Sequence, residues 1–303
     1  MAAVIKESKT DRLFLICNYL YVAIAFVLVL YPVVYILSAS ISTPSYVNSG
    51  EMWLLPKGIT FEGYMRVFEN SKIWVGYGNT ILYTVVGTLI NLLVTLPAAY
   101  ALSRKDFVGR GFFMGMFLVT MFFSGGLIPT YLIVKQLGLV NSMWALILPG
   151  AASVWNIIVA RTFFQSTIPI ELQEAAHMDG CTNLRLFLKI VVPLSTPIIA
   201  VMALFYGVGH WNSYFNALVY LNDQSKYPLQ MVLRQILVLQ EMSTSAQGAA
   251  TSGEAAMAMN AKADMAALLK YAVIIVATLP IIAVYPFVQR YFVQGVMIGS
   301  VKG

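Results

Sequence analysis

Charge is what this sequence has least of. Asp, Glu, Lys and Arg make up 11% of its 303 residues, while 59% are hydrophobic; soluble domains carry roughly 25% charged residues. A soluble chain of this length could not cover its surface with so few, so membrane residence is the starting expectation. The scarcity is uneven. Six long apolar runs contain no Asp, Glu, Lys or Arg, and the two histidines, His177 and His210, lie outside their cores. Ion-coupled carriers and pumps rely on ionisable groups at membrane depth, and these runs offer none. Also missing is a Gly-x-x-x-x-Gly-Lys-[Ser/Thr] phosphate loop, so the chain is not expected to bind ATP alone. His-Glu-x-x-His, Gly-x-Ser-x-Gly and an intramembrane Asp pair are absent too, which leaves a membrane hydrolase without support. The two cysteines, Cys17 and Cys181, have no metal or redox spacing and read as packing residues. No basic tract is long enough for nucleic acid. The energy for any work is therefore expected from another chain.

What is present is a succession of spans. A polar N-terminus, residues 1–12, precedes an uncharged run from Leu13 to about Ser42. That run is too long for the core of a cleaved signal peptide and reads as a retained first span. The next runs are Ile73–Ser103, Gly111–Val134, Leu137–Ala160, Ile190–Gly209 and Tyr271–Gln289. Gly125-Gly126 and Pro129 interrupt the third, and such breakers are tolerated in a membrane where neighbours or cavity water satisfy the freed backbone groups. The polar segment from Thr43 to Lys72 carries Trp53 and Tyr64, both suited to an interface. The sequence thus predicts an all-α integral membrane protein: a six-helix domain over residues 13–289, and a C-terminal tail over 290–303. Six crossings put both termini on one side. Lys and Arg favour that side by 11 to 8, which makes it the cytoplasm. The longest outer segment, residues 210–270, has a small polar middle, Ser243–Gly253, expected to be a mobile loop.

One well-mixed segment lies between the fourth and fifth runs, on the predicted cytoplasmic side. Pro169 suits the first turn of a helix, and Glu171 favours its positive end. Glu171, Glu174, Ala175 and Met178 then share a face at i, i+3, i+4 and i+7. Ala175 and Ala176 keep that helix narrow enough to enter a cleft. Asp179-Gly180 ends it, and Thr182 can cap a second helix from about Asn183, which carries Arg185 and Lys189 into the next span. Such a helix-turn-helix fused to a span is a lever; by spacing alone it is equally an ordinary capped loop.

The residue identities go further. Glu174-Ala-Ala, then Gly180, then Ile190-Val-Val-Pro193, resembles the EAA loop of bacterial ABC importer permeases, with Val192 where Leu is usual. Pro97-Ala-Ala-Tyr-Ala-Leu-Ser-Arg104 is similar to the end of the second span in maltose and oligosaccharide permeases. Trp211-Asn212 with Tyr220-Leu-Asn-Asp223, and the ending Gln289-Arg-Tyr-Phe-Val-Gln-Gly295, extend the likeness. The chain resembles the MalG-like, binding-protein-dependent oligosaccharide importer family. That resemblance implies one of two homologous permease subunits in a bacterial cell membrane, working with two cytosolic ATPases and an extracellular or periplasmic solute-binding protein. ATP and Mg would be bound by the ATPases, with no cofactor in this chain. It implies a coupling loop over 168–193, in which Glu171, Glu174, Ala175, Ala176, Met178, Asp179 and Gly180 meet the ATPase. Glu174 would pair with a basic residue, the alanines would permit close approach, and Gly180 would make the bend. The tail residues Gly299, Lys302 and Gly303 would reach the ATPase dimer, and the Ser243–Gly253 region would contact the binding protein. A non-sugar solute, or an ATP-independent channel, are the competing functions; a channel would not need the loop.

Sugars require hydrogen-bonding groups and aromatic faces in a sheltered cavity. Trp211, Asn212, Tyr214 and Asn216, with His210, offer these at the end of the fifth run, and Asn91 and Asn156 are amides at membrane depth. Interfacial anchoring and interhelical hydrogen bonding are the alternatives for the same residues.

Overall fold

The computed structural model describes residues 8–247, 269–287 and 289. They fall into two compact units, within Met1–Asn70 and Gln235–Ala277, and within Ser71–Arg234 and Thr278–Gly303. Helix is the only extended regular structure among the described residues. One isolated antiparallel bridge joins Ser42 to Ile59.

The first unit begins with α1 (Lys9–Ser40), opened by a capping box. Ser8 Oγ accepts from the Asp11 N–H, and the Asp11 carboxylate accepts from the Ser8 N–H, both at 3.1 Å. From Leu13 onward α1 is apolar on all sides, and within this chain only Ser38, Ala39 and Ser40 are buried. Such a helix suits a lipid environment. The chain then passes through α2 (Pro44–Asn48) and α3 (Glu62–Glu69). Ala39, Val47 and Met52 form a small core there, with Tyr35 and Tyr271 against it. Tyr64, expected at the membrane surface, instead turns inward: its hydroxyl lies 2.8 Å from Ser40 Oγ.

The second unit is packed around α4 (Ser71–Ser103). Its buried stripe includes Ile73, Gly76, Thr80, Tyr83, Gly87, Asn91 and Thr95, at helical spacing. Small and hydroxyl residues on such a stripe let neighbouring backbones approach and supply hydrogen bonds in place of charge. After α4 come α5 (Arg110–Phe122), α6 (Leu127–Gln136), α7 (Trp144–Ile147) and α8 (Val154–Thr167). Next are α9 (Ile170–Met178), α10 (Asn183–Leu186), one π-helical turn (Phe187–Val191) and α11 (Val192–Leu194). The chain continues through α12 (Thr196–Trp211), α13 (Phe215–Tyr220) and α14 (Leu229–Gln247), and α15 spans Leu269–Phe287. Helices α12 and α8 pack on α4, and Thr95 Oγ1 meets the Tyr206 hydroxyl at 2.6 Å between α4 and α12.

Helices α1, α4 and α15 are each long and apolar enough to cross a membrane alone. The other three runs are bent. The third turns by 112° between α5 and α6, where Gly126 adopts φ +85°. The fourth turns by 51° before α8 and starts at Trp144, later than the expected Leu137. The fifth extends back to Asn183 and turns by 82° at Ser195, between Pro193 and Pro197. Proline denies the backbone an N–H at each flank, so the helix restarts there.

The Ser243–Gly253 expectation is also corrected in part. Helix α14 runs through Ser243 to Gln247; a polar, alanine-containing stretch propagates helix once the preceding turns exist. Residues 248–253 lie outside the described residues.

Candidate functional site

The predicted helix-turn-helix is present, and the structure adds what holds it. Pro169 is the residue just before α9 rather than within its first turn, and Glu171 lies in that turn. Helix α9 ends at Asp179, and Gly180 takes φ +71°, a left-handed conformation that glycine adopts without steric cost. Thr182 Oγ1 accepts from the Arg185 N–H at 3.4 Å and opens α10. Glu171, Glu174, Ala175, Met178 and Asp179 are all exposed, Met178 to 88%. Ala176 is not. It is buried in the core formed by Leu102, Phe164, Ile168, Leu186 and Phe187, so the small residue there fits α9 onto its own bundle. Of the two alanines, only Ala175 belongs to the open face.

Arg104, one residue beyond α4, ties this helix pair to the bundle. It is only 9% exposed. Its Nε donates to Asp106 Oδ1 at 2.8 Å, and Nη2 donates to Oδ2 of the same carboxylate. Nη1 donates to Asn183 Oδ1 at 3.0 Å and lies 3.4 Å from the Tyr100 hydroxyl. His177 Nε2 approaches the same Asn183 oxygen at 3.1 Å. A guanidinium only donates, so the atom facing it is the amide oxygen, and His177 must donate to it as well. One arginine thus joins the end of α4, the α4–α5 loop and the first residue of α10, which in turn meets His177 of α9. The forked hydrogen bond with Arg104 holds the Asp106 carboxyl below its usual range, and the same bond pushes the Arg104 guanidinium above its already high ordinary value. With Asp106 depressed, the brace is complete at neutral pH and is lost only as pH falls through that lowered value. Beside it, Pro97, Tyr100, Arg104, Asp106, Asn183 and Phe187 line a cleft of about 450 Å³. Sequence reasoning passed over Arg104 as a functional side chain; its signal was the first charge after a charge-free run, two residues before Asp106.

The amides expected along a solute path are placed differently from one another. Asn91 is fully buried. Its Nδ2 donates to the Gly150 and Ala151 carbonyls at 2.8 and 2.9 Å, and its Oδ1 meets His210 Nε2 at 2.6 Å. Both hydrogens and the oxygen are therefore committed, and Asn91 ties α4 to α12 and to the break before α8. It is an interhelical tie rather than a free solute ligand. Asn156 is buried in the first turn of α8, behind the Ser153 cap. Trp211 is buried edge-on to Tyr77, with ring centroids 6.0 Å apart. Asn212, Tyr214 and Asn216 are exposed, and the Arg234 guanidinium lies over the Tyr214 ring at 5.1 Å. The described side-chain hydrogen bonds join Asn91 to His210 but bring neither side chain to those of Asn212, Tyr214 or Asn216. The tail residues Gly299, Lys302 and Gly303 lie outside the described residues.

Gly87 makes room for the His210 ring: a Cβ there would fall 2.5 Å from His210 Nε2. Gly87→Ala should displace the ring, break its bond to Asn91 and cost about 1–3 kcal/mol of stability. The check is a double-mutant cycle by thermal unfolding of the purified protein. Once the ring is gone in His210→Ala, adding Gly87→Ala should cost almost nothing more; additive losses would refute the contact.

Known proteins share this architecture. The family described as the binding-protein-dependent transport system inner membrane component matches residues 73–298. Protein LplC of Bacillus subtilis (strain 168) is 42% identical over 297 residues, covering 98% of this chain and 97% of that protein. The polygalacturonan/rhamnogalacturonan transport system permease protein YtcP of the same organism is 39% identical, covering 97% and 99%. Among solved structures, a chain in the crystal structure of a bacterial ABC transporter involved in import of the acidic polysaccharide alginate superposes with a TM-score of 0.83. It is 36% identical, and the match covers 95% of this chain and 100% of that one. Those matches, with the apolar helices they run through, show that this chain belongs to the binding-protein-dependent inner membrane components, the multi-pass permease subunits of bacterial ABC transporters.

Proposed function

We propose that this permease is one of two membrane subunits of an ATP-driven importer for an oligosaccharide, and that α9 is the helix on which a cytosolic ATPase acts. Closure of the ATPase dimer on ATP and Mg would draw the paired α9 helices together and turn the bundle from inward-facing to outward-facing. A solute-binding protein would deliver the sugar from the other side, and both termini would lie in the cytoplasm with α9. The observation that carries the reading is the open face of Glu171, Glu174, Ala175 and Met178 on a helix braced through Arg104 to α4. A surface loop with no partner has no need of such bracing.

The relatives narrow the solute class. One is a permease for polygalacturonan and rhamnogalacturonan, and the alginate importer takes an acidic polysaccharide. Uronate-containing oligosaccharides are therefore the first to test. Purified with its partner subunits and binding protein, the transporter should hydrolyse ATP several-fold faster with a uronate oligosaccharide than with a neutral one of the same length. Equal silence towards every saccharide, with stimulation by a non-sugar solute, would overturn the carbohydrate assignment.

A further inference from the structure

The segment between α1 and α3 folds back on α1 and leaves an apolar tip uncovered. Ser38 Oγ donates to the Leu54 carbonyl at 2.5 Å, and Ser42 Oγ lies 3.3 Å from Met52 Sδ. Met52 is buried on Ala39 beside Tyr35. Residues 52–54 therefore sit beside the last turns of α1, not beyond its end. On the other side of this short segment the side chains point away from the fold: Trp53 is 78% exposed and Leu55 75%. Pro56 and Lys57 follow.

The length of α1 fixes the depth of this tip. Its 32 residues extend about 48 Å, against a hydrocarbon core of about 30 Å and a whole bilayer of about 40–45 Å. With the charged first turn of Lys9, Asp11 and Arg12 held in water on one side, the last turns reach the opposite interfacial layer. Tyr35 lies there on α1 itself. Trp and Tyr favour that layer, and a lysine can keep its stem in it while its ammonium reaches phosphate.

We propose that Trp53-Leu54-Leu55 is a membrane-surface anchor. It sits among the lipid headgroups at the end of α1 opposite Lys9 and fixes the height of that end in the bilayer. The partner is phospholipid. A soluble protein partner would need the tip raised above the headgroups, whereas the Ser38–Leu54 bond holds it down along α1.

The test uses the full chain with its partner subunits in nanodiscs, in a background where Cys17 and Cys181 are replaced. A bimane label is placed by Leu55→Cys, or separately by Trp53→Cys, with Ser49→Cys as an exposed control on the same segment. Phosphatidylcholine brominated near the top of its acyl chains should quench the labels at 55 and 53 roughly twofold or more and leave that at 49 nearly unchanged. Aqueous iodide should show the reverse order. Labels at 53 and 55 quenched by iodide as readily as that at 49 would overturn the proposal. So would shielding that appears only when substrate-loaded binding protein is added, which would assign the tip to a protein partner.

Discussion

Glu174→Arg should release the ATPase from this permease while leaving the permease folded. Glu174 is exposed on α9 and has no hydrogen-bond or ion-pair partner among the described residues. Nothing within the chain is lost when its charge is reversed. In the proposed complex the same change sets two cations against each other at a desolvated contact. Breaking a close interfacial charge pair costs about 2–5 kcal/mol, so the ATPase should bind about 10²-fold more weakly or worse. Co-purification of ATPase with tagged permease measures this directly. Expected are normal insertion, an unchanged unfolding midpoint, and almost no ATPase retained. Full recovery of ATPase with normal transport would remove α9 from the docking role.

Arg104→Ala should produce the opposite pattern: ATPase retained, transport lost. The substitution leaves the open face of α9 intact and cuts its tie to α4. Asn183 and Tyr100 lose their donor, and His177 is left alone on the Asn183 oxygen. ATP hydrolysis should then continue while solute uptake falls about tenfold or more, because α9, left with the packing around Ala176 alone, would carry α4 less firmly. Arg104→Lys should fare little better. An ammonium is a point charge and cannot hold Asp106 with two donors while a third reaches Asn183. A merely stabilising residue would lower hydrolysis and uptake together with the amount of folded protein. Measuring both per mole of assembled transporter separates the two, and parallel loss would mark Arg104 as structural.

How far the sequence could be read differed from element to element. The Glu171–Gly180 helix and its Thr182-capped successor were legible because caps, glycine and face spacing are local signals. The apolar runs were legible for the same reason, and each overlaps a helix or a bent helix pair, though the fourth and fifth are shifted at their starts. The bends themselves were not, since Pro193 and Pro197 mark a break but not the 82° it takes. Asn91 illustrates the other limit. A buried amide at membrane depth suits a sugar or a helix tie equally well, and the choice is made by His210, far along the chain, and by two carbonyls freed where α8 begins. Ala176 was misjudged because two adjacent alanines look alike in sequence, whereas on a helix they point about 100° apart.

The break at Ser195 sets how force would travel through this chain. The axis of α10–α11 meets that of α12 at 82°, and the Ser195 side chain at the corner is buried, its hydroxyl without a partner among the described residues. A thrust arriving along the first axis has almost no component along the second, so it emerges as a sideways sweep, as in a bell crank. Helix α12 is 16 residues long, about 24 Å, and a tilt of about 10° at the corner carries Trp211 through about 4 Å. In the proposed importer, such a corner would turn an inward step of α9 into a sideways displacement at the far end comparable to the width of a sugar ring.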